Sequence, residues 1–123
     1  MQLKKEFFIT RGDSLAITDV LTDKDGKPID ILNLHLRAHF KTFKNYKTNE
    51  VLFELNSLNN EILKYENGIY KILIKPEDSW SLVPTKDSKP VIIGLSIFNE
   101  DDLYRKEIQY GLNVRQNIVN QLY

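Results

Sequence analysis

The chain has 123 residues, equal numbers of basic and acidic side chains (17 of each) and no cysteine. That length suits one hydrophobic core, and a net charge of zero supplies no field to draw in a nucleic acid backbone. Absence of cysteine excludes disulfide stapling, thiolate catalysis and cysteine-ligated zinc. The opening MQLKKEFF has two lysines but no apolar stretch of the signal-peptide kind. The longest apolar run, residues 91–95, is far short of the roughly 18 residues a membrane-spanning helix needs. A membrane partner is not expected.

In chain order, residues 3–10 read as a strand stopped by Arg11-Gly12-Asp13, where glycine permits a sharp change of direction. Residues 14–21 form a second strand, closed by Thr22-Asp23-Lys24-Asp25-Gly26, a hairpin-type turn sequence. The clearest strand is 34–41: Leu34, Leu36, Ala38 and Phe40 share one face, His35, Arg37, His39 and Lys41 the other. A polar link, 43–49, leads to short strands at 50–55 and 61–65 around the Asn-rich turn 56–60. After Gly68, residues 69–75 alternate again, with Tyr70, Ile72 and Ile74 on one face.

Residues 76–82 suit a single helical turn, with Pro76 at its start and Glu77 and Asp78 near the positive end of its dipole. Trp80 is expected to plug one end of the core. A loop, 83–89, precedes strand 91–98, apolar on both faces and therefore expected at the centre of a sheet. The acidic turn 99–102 leads into strand 103–114, where Tyr104, Ile108, Tyr110, Leu112 and Val114 share a face with Lys106. The sequence thus divides into a β domain, 1–114, and a C-terminal tail, 115–123.

About seven or eight strands, with turns at intervals of roughly 8 to 12 residues and no helix long enough for a βαβ crossover, predict an all-β fold. The expected architecture is an antiparallel two-sheet sandwich with one helical turn near 76–82; a small barrel fits the same pattern.

No residue set carries catalysis. The sequence has no G-x-S-x-G elbow, P-loop or G-x-G-x-x-G fingerprint, and no enzyme activity or cofactor is expected. Arg11-Gly12-Asp13 reads as a turn rather than an adhesion tripeptide. His35 and His39 fall on the solvent face of one strand with no third ligand, so they read as surface histidines. Asp23, Asp25 and Gly26 begin like a calcium loop, but Leu34 occupies the closing glutamate position. Glu100, Asp101 and Asp102 lie at a turn tip without an apolar wall to raise a carboxyl pKa. No metal site is expected.

Tyrosines suit protein interfaces, and this chain has them at 46, 65, 104, 110 and 123. The tail residues Ile118, Val119, Leu122 and Tyr123 have no place in a sandwich complete at Val114, which makes them the candidate partner interface. An alternative is a carbohydrate-binding or adhesion module using Trp80 and Tyr46 as an aromatic platform, by analogy with other sandwiches.

Several short motifs occur in a familiar order: Phe8-Ile9, Arg11-Gly12-Asp13-Ser14, Thr22-Asp23-Lys24-Asp25-Gly26, Pro28-Ile29-Asp30 and Arg37-Ala38. Asn67-Gly68-Ile69-Tyr70 and Ile97-Phe98-Asn99-Glu100-Asp101, with Tyr104-Arg105, continue the series. This order resembles the small immunoglobulin-like sandwich proteins of tailed bacteriophages, including N-terminal domains of upper-baseplate proteins and related tail or neck components. The chain departs from that pattern in its Lys- and Asn-rich middle, 41–60, and in its continuation past 115. The resemblance implies a noncatalytic block of the virion, made in the host cytoplasm, that contacts other virion proteins or identical copies in a ring.

Overall fold

The computed structural model describes residues 2–86, 88–99 and 106–116. Among them the strands are β1 (Lys5–Thr10), β2 (Leu15–Val20), β3 (His35–Lys41), β4 (Phe53–Asn56), β5 (Ile62–Lys64), β6 (Ile69–Ile74), β7 (Val91–Phe98) and β8 (Lys106–Arg115). A 3-10 turn, Glu66–Gly68, precedes β6, and one short helix, α1 (Pro76–Trp80), follows it. The strands form a five-stranded sheet, β1-β8-β7-β3-β4, and a three-stranded sheet, β2-β6-β5. This is an immunoglobulin-like β-sandwich, with the first strand laid beside the last.

Period-two burial builds the core. From the small sheet Ile17, Tyr70, Ile72 and Ile74 point inward; from the large one come Leu36, Ala38, Phe40, Ile93, Leu95, Ile97, Tyr110, Leu112 and Val114. β7 is central, as its two apolar faces predict, pairing antiparallel with both β3 and β8. Phe40 and Phe53 stack at 4.4 Å between ring centroids, joining edge strand β4 to the same core.

One pairing departs from the antiparallel expectation: β1 runs parallel to β8, from Lys5 opposite Tyr110 to Thr10 opposite Arg115. A tight turn usually folds two strands into one hairpin, but here the turn at Gly12 (φ +90°) carries the chain from one sheet to the other. β1 then closes on β8, and the rest of the described chain serves as the long connection a parallel pair needs.

Two further expectations are corrected. Trp80 does not plug the core; it is 42% exposed, while Ser79 and Leu82 on either side of it are buried. In a one-turn helix the inward positions fall three residues apart, so Trp80 is carried to the rim. Strand β8 also runs one residue beyond the expected boundary at 114, because the Arg115 carbonyl accepts a hydrogen bond from the Arg11 backbone N–H at 2.9 Å.

Candidate interaction surface at the α1 end

Strand directions gather several loops at one end of the sandwich. β1 and β8 end there, beside the start of β7, and so does β3, which is antiparallel to β7. In the other sheet β6 ends where β2 begins. The 10–14 turn, α1, the loops 42–52 and 81–90, and Gln116 beyond β8 therefore share this end.

The Arg11-Gly12-Asp13 turn is docked on α1. Pro76 opens the helix, and the Asp78 carboxylate closes its first turn by accepting the Lys75 backbone N–H at 2.9 Å. Buried Ser79 Oγ accepts the Gly12 N–H at 2.9 Å and donates to the Asp13 carbonyl at 2.7 Å. The Arg11 guanidinium donates to the Trp80 carbonyl at 2.9 Å and lies 5.1 Å from the centroid of its ring. Arg11 also donates to Gln116 Oε1 at 3.3 Å, fixing the point where the chain leaves β8. Every member of the tripeptide is thus held against the protein's own surface, as a turn.

Between loops 42–52 and 81–90 lies an apolar groove of about 230 Å³, walled by Phe43, Leu52, Val83, Pro84, Pro90 and Val91. Leu52 and Val83 stand open beside it, at 48% and 68% exposure. With Val51 and Trp80, they make half of the eight large hydrophobic residues exposed among those described. All four belong to segments at this end of the sandwich, with Leu52 and Val83 at the groove itself. The sequence offered a signal for it: Val51-Leu52-Phe53 and Leu82-Val83-Pro84 break the alternation that burial on one face of a strand requires.

Inside the sandwich is a polar chain that sequence reading missed. Asp19 is only 8% exposed. Its carboxylate accepts from Tyr110 Oη at 2.7 Å and from the Val20 N–H at 2.8 Å, with Lys4 at 2.9 Å and Lys5 at 3.3 Å. Tyr70, opposite Asp19 on the neighbouring strand, donates its hydroxyl to Tyr110. Burial pushes the Asp19 carboxyl up, but the hydrogen bonds from Lys4, Tyr110 and Val20 outweigh it and hold the group below its ordinary value. Burial raises the hydroxyl pKa values of both Tyr70 and Tyr110. The arrangement is a hydrogen-bonded network in which the Asp19 carboxylate and both tyrosine hydroxyls have partners.

The remaining sequence candidates are dispersed. His39 is bonded to Glu54 at 2.7 Å on the outer face of the large sheet, and His35 lies against Phe98 at 5.5 Å. Burial raises the Glu54 carboxyl, but hydrogen bonds from Asn56 and His39 leave it below its ordinary value. The Asp23 carboxylate accepts the backbone N–H groups of Asp25 and Lys27, at 2.8 and 3.0 Å, and so closes its own turn. Tyr46 packs on Phe43 at 6.0 Å, and Lys47 lies over its ring. Among the described residues no cluster of three His, Cys, Asp or Glu is placed to hold a metal ion. Glu100, Asp101, Asp102, Tyr104, Ile118, Val119, Leu122 and Tyr123 lie outside the described residues.

No family model matches the chain, and no curated protein matches it in sequence. Among solved structures, the chain is similar to the crystal structure of the titin M3 domain, at 15% identity over 93% of this chain and 92% of that one, with a TM-score of 0.48.

Proposed function

We propose that the protein is a noncatalytic structural component of a tailed-phage virion that works through protein–protein contacts. The observation that carries the contact reading is the gathering of Val51, Leu52, Trp80 and Val83 in exposed positions at the end where the chain leaves β8. The tail residues Ile118, Val119, Leu122 and Tyr123, the partner interface expected from the sequence, follow β8 in chain order. The phage assignment rests on the order of short motifs. Their partners in this reading are neighbouring virion proteins or identical copies, with no nucleic acid and no membrane involved.

The test is composition of the particle. Purified virions should contain the protein at a fixed copy number, with its density at a repeated position. A protein made during infection and missing from mature particles would overturn the assignment. The finer alternative, a glycan platform on Trp80 and Tyr46, has one observation in its favour, the 42% exposure of Trp80. Against it, Arg11 lies over that ring and the Gly12 backbone crowds its edge.

A further inference from the structure

We infer that the groove between loops 42–52 and 81–90 receives an extended segment of a partner protein in which a large apolar side chain stands next to carboxylates. The inference rests on the contact reading of this end and names the partner's chemistry. Beside the apolar walls, Lys86 and Lys89 complete the lining. These two lysines stand opposite each other in an antiparallel bridge, where the Lys89 N–H donates to the Lys86 carbonyl at 3.1 Å. Like charges placed directly opposite destabilise each other, and neither lysine is ion-paired among the described residues. An anion seated there relieves that repulsion. By sequence, the two loops carry Lys44, Lys47, Lys86 and Lys89 against Glu50 and Asp87, an excess of positive charge in a chain whose net charge is zero. Glu50 already accepts a hydrogen bond from the Asn45 side chain at 2.7 Å.

Size and hydrogen bonding decide how the segment is held. At about 230 Å³ the groove is smaller than the roughly 300–1,000 Å³ of a small-molecule pocket, and it suits one inserted side chain. The walls offer little for backbone pairing. Pro84 and Pro90 have no N–H, Leu52 donates its own to the Phe40 carbonyl at 2.7 Å, and Thr85 donates its own to the Val114 carbonyl at 2.9 Å. The occupant is therefore anchored by a side chain and not added as a strand. Apolar burial supplies the attraction, and the lysines select an acidic neighbour over a basic one. A nucleic acid would answer the lysines and leave Leu52 and Val83 in water.

The experiment titrates short synthetic peptides into the isotope-labelled full chain and follows its amide NMR signals. One peptide has Phe at its centre with Asp and Glu on both sides; a second has Lys in place of the acids, and a third Ala in place of Phe. The acidic Phe peptide should shift the signals of Leu52, Val83 and Thr85 and bind about tenfold more tightly than either control, with its margin over the basic peptide shrinking in high salt. Val83→Glu, at a position 68% exposed, should abolish the shifts. Lys86→Glu with Lys89→Glu, both at exposed positions, should turn the preference toward the basic peptide. Groove signals unmoved by the acidic Phe peptide, or moved equally by the basic one, would overturn the inference. So would groove shifts that grow with protein concentration in the absence of peptide, which would seat a second copy there, or tighter binding of a DNA oligonucleotide or of phosphatidylserine vesicles at the same signals. Virions lacking the protein would overturn the assignment to the particle and leave a positive peptide result standing, which separates the two failures.

Discussion

The Tyr110 hydroxyl donates to the Asp19 carboxylate across 2.7 Å of buried interior, linking the large sheet to the small one. Tyr70 extends the link by donating to Tyr110, and Phe7 meets the Tyr110 ring edge-on at 5.8 Å. In a chain without cysteine, this is a directional tie between the two layers, added to the ion pairs of Lys4 and Lys5 with Asp19 and to non-directional apolar packing.

Replacing Tyr110 with Phe keeps the ring and removes the donor. The expected loss is about 1–3 kcal/mol, because a buried carboxylate is left with one partner fewer. Tyr70→Phe should cost less, about 0.5–1.5 kcal/mol, since Tyr110 keeps its bond to Asp19. Urea unfolding midpoints measure both, and equal midpoints for the three proteins would refute the tie.

The same network sets a pH dependence at both extremes. The Asp19 carboxyl is depressed in the folded state, so its contribution is present above its unfolded value, near 3.8, and is lost as pH falls through the folded value. Tyr70 and Tyr110 are raised in the folded state, so their contribution is intact below about 10 and declines as pH climbs beyond it toward the folded values. Thermal unfolding across both ranges should show two declines, and Tyr110→Phe should weaken both.

Gly68 adopts φ +74°, and a Cβ there would lie 2.6 Å from the Leu21 carbonyl oxygen. Gly26 has a similar φ of +80° with open space around it. Gly26→Ala should therefore cost about 1–2 kcal/mol, for the left-handed backbone alone. Gly68→Ala adds a clash with a backbone that cannot yield, and should exceed about 3 kcal/mol. Comparable melting temperatures for the two variants would contradict this.

Ser79→Ala removes the hydroxyl that pins the Arg11-Gly12-Asp13 turn to α1, and should cost about 1–3 kcal/mol. Trp80→Ala should be milder than the roughly 3–5 kcal/mol of a buried tryptophan, because the ring is half exposed. A glycan array run on both variants and the parent should give no ligand. A glycan bound by the parent and lost in Trp80→Ala at unchanged melting temperature would favour the carbohydrate alternative instead.

Where alternation was uninterrupted, the sequence placed structure well. Residues 91–98 were read as a central strand and coincide with β7, and the inward faces of β3 and β6 match the alternation read for them. Asp19 was legible in part: it shares the inward period of Ile17 and Leu21, and a carboxylate at such a position demands partners. Which partners could not be read, because Tyr110 lies 91 residues away on the opposite sheet. Trp80 failed for a related reason. Within a five-residue helix, size and apolarity favour the core, but the register fixed by Pro76 and Ser79 assigns the inward position to its neighbour. The groove escaped notice because its walls come from two loops distant in sequence.

The parallel alignment of β1 with β8 has a consequence for where the molecule is labelled. Both strands point the same way, so Gln2 and Gln116 occupy opposite poles. A label attached beside Gln2 would therefore report nothing about the groove, which lies at the other pole.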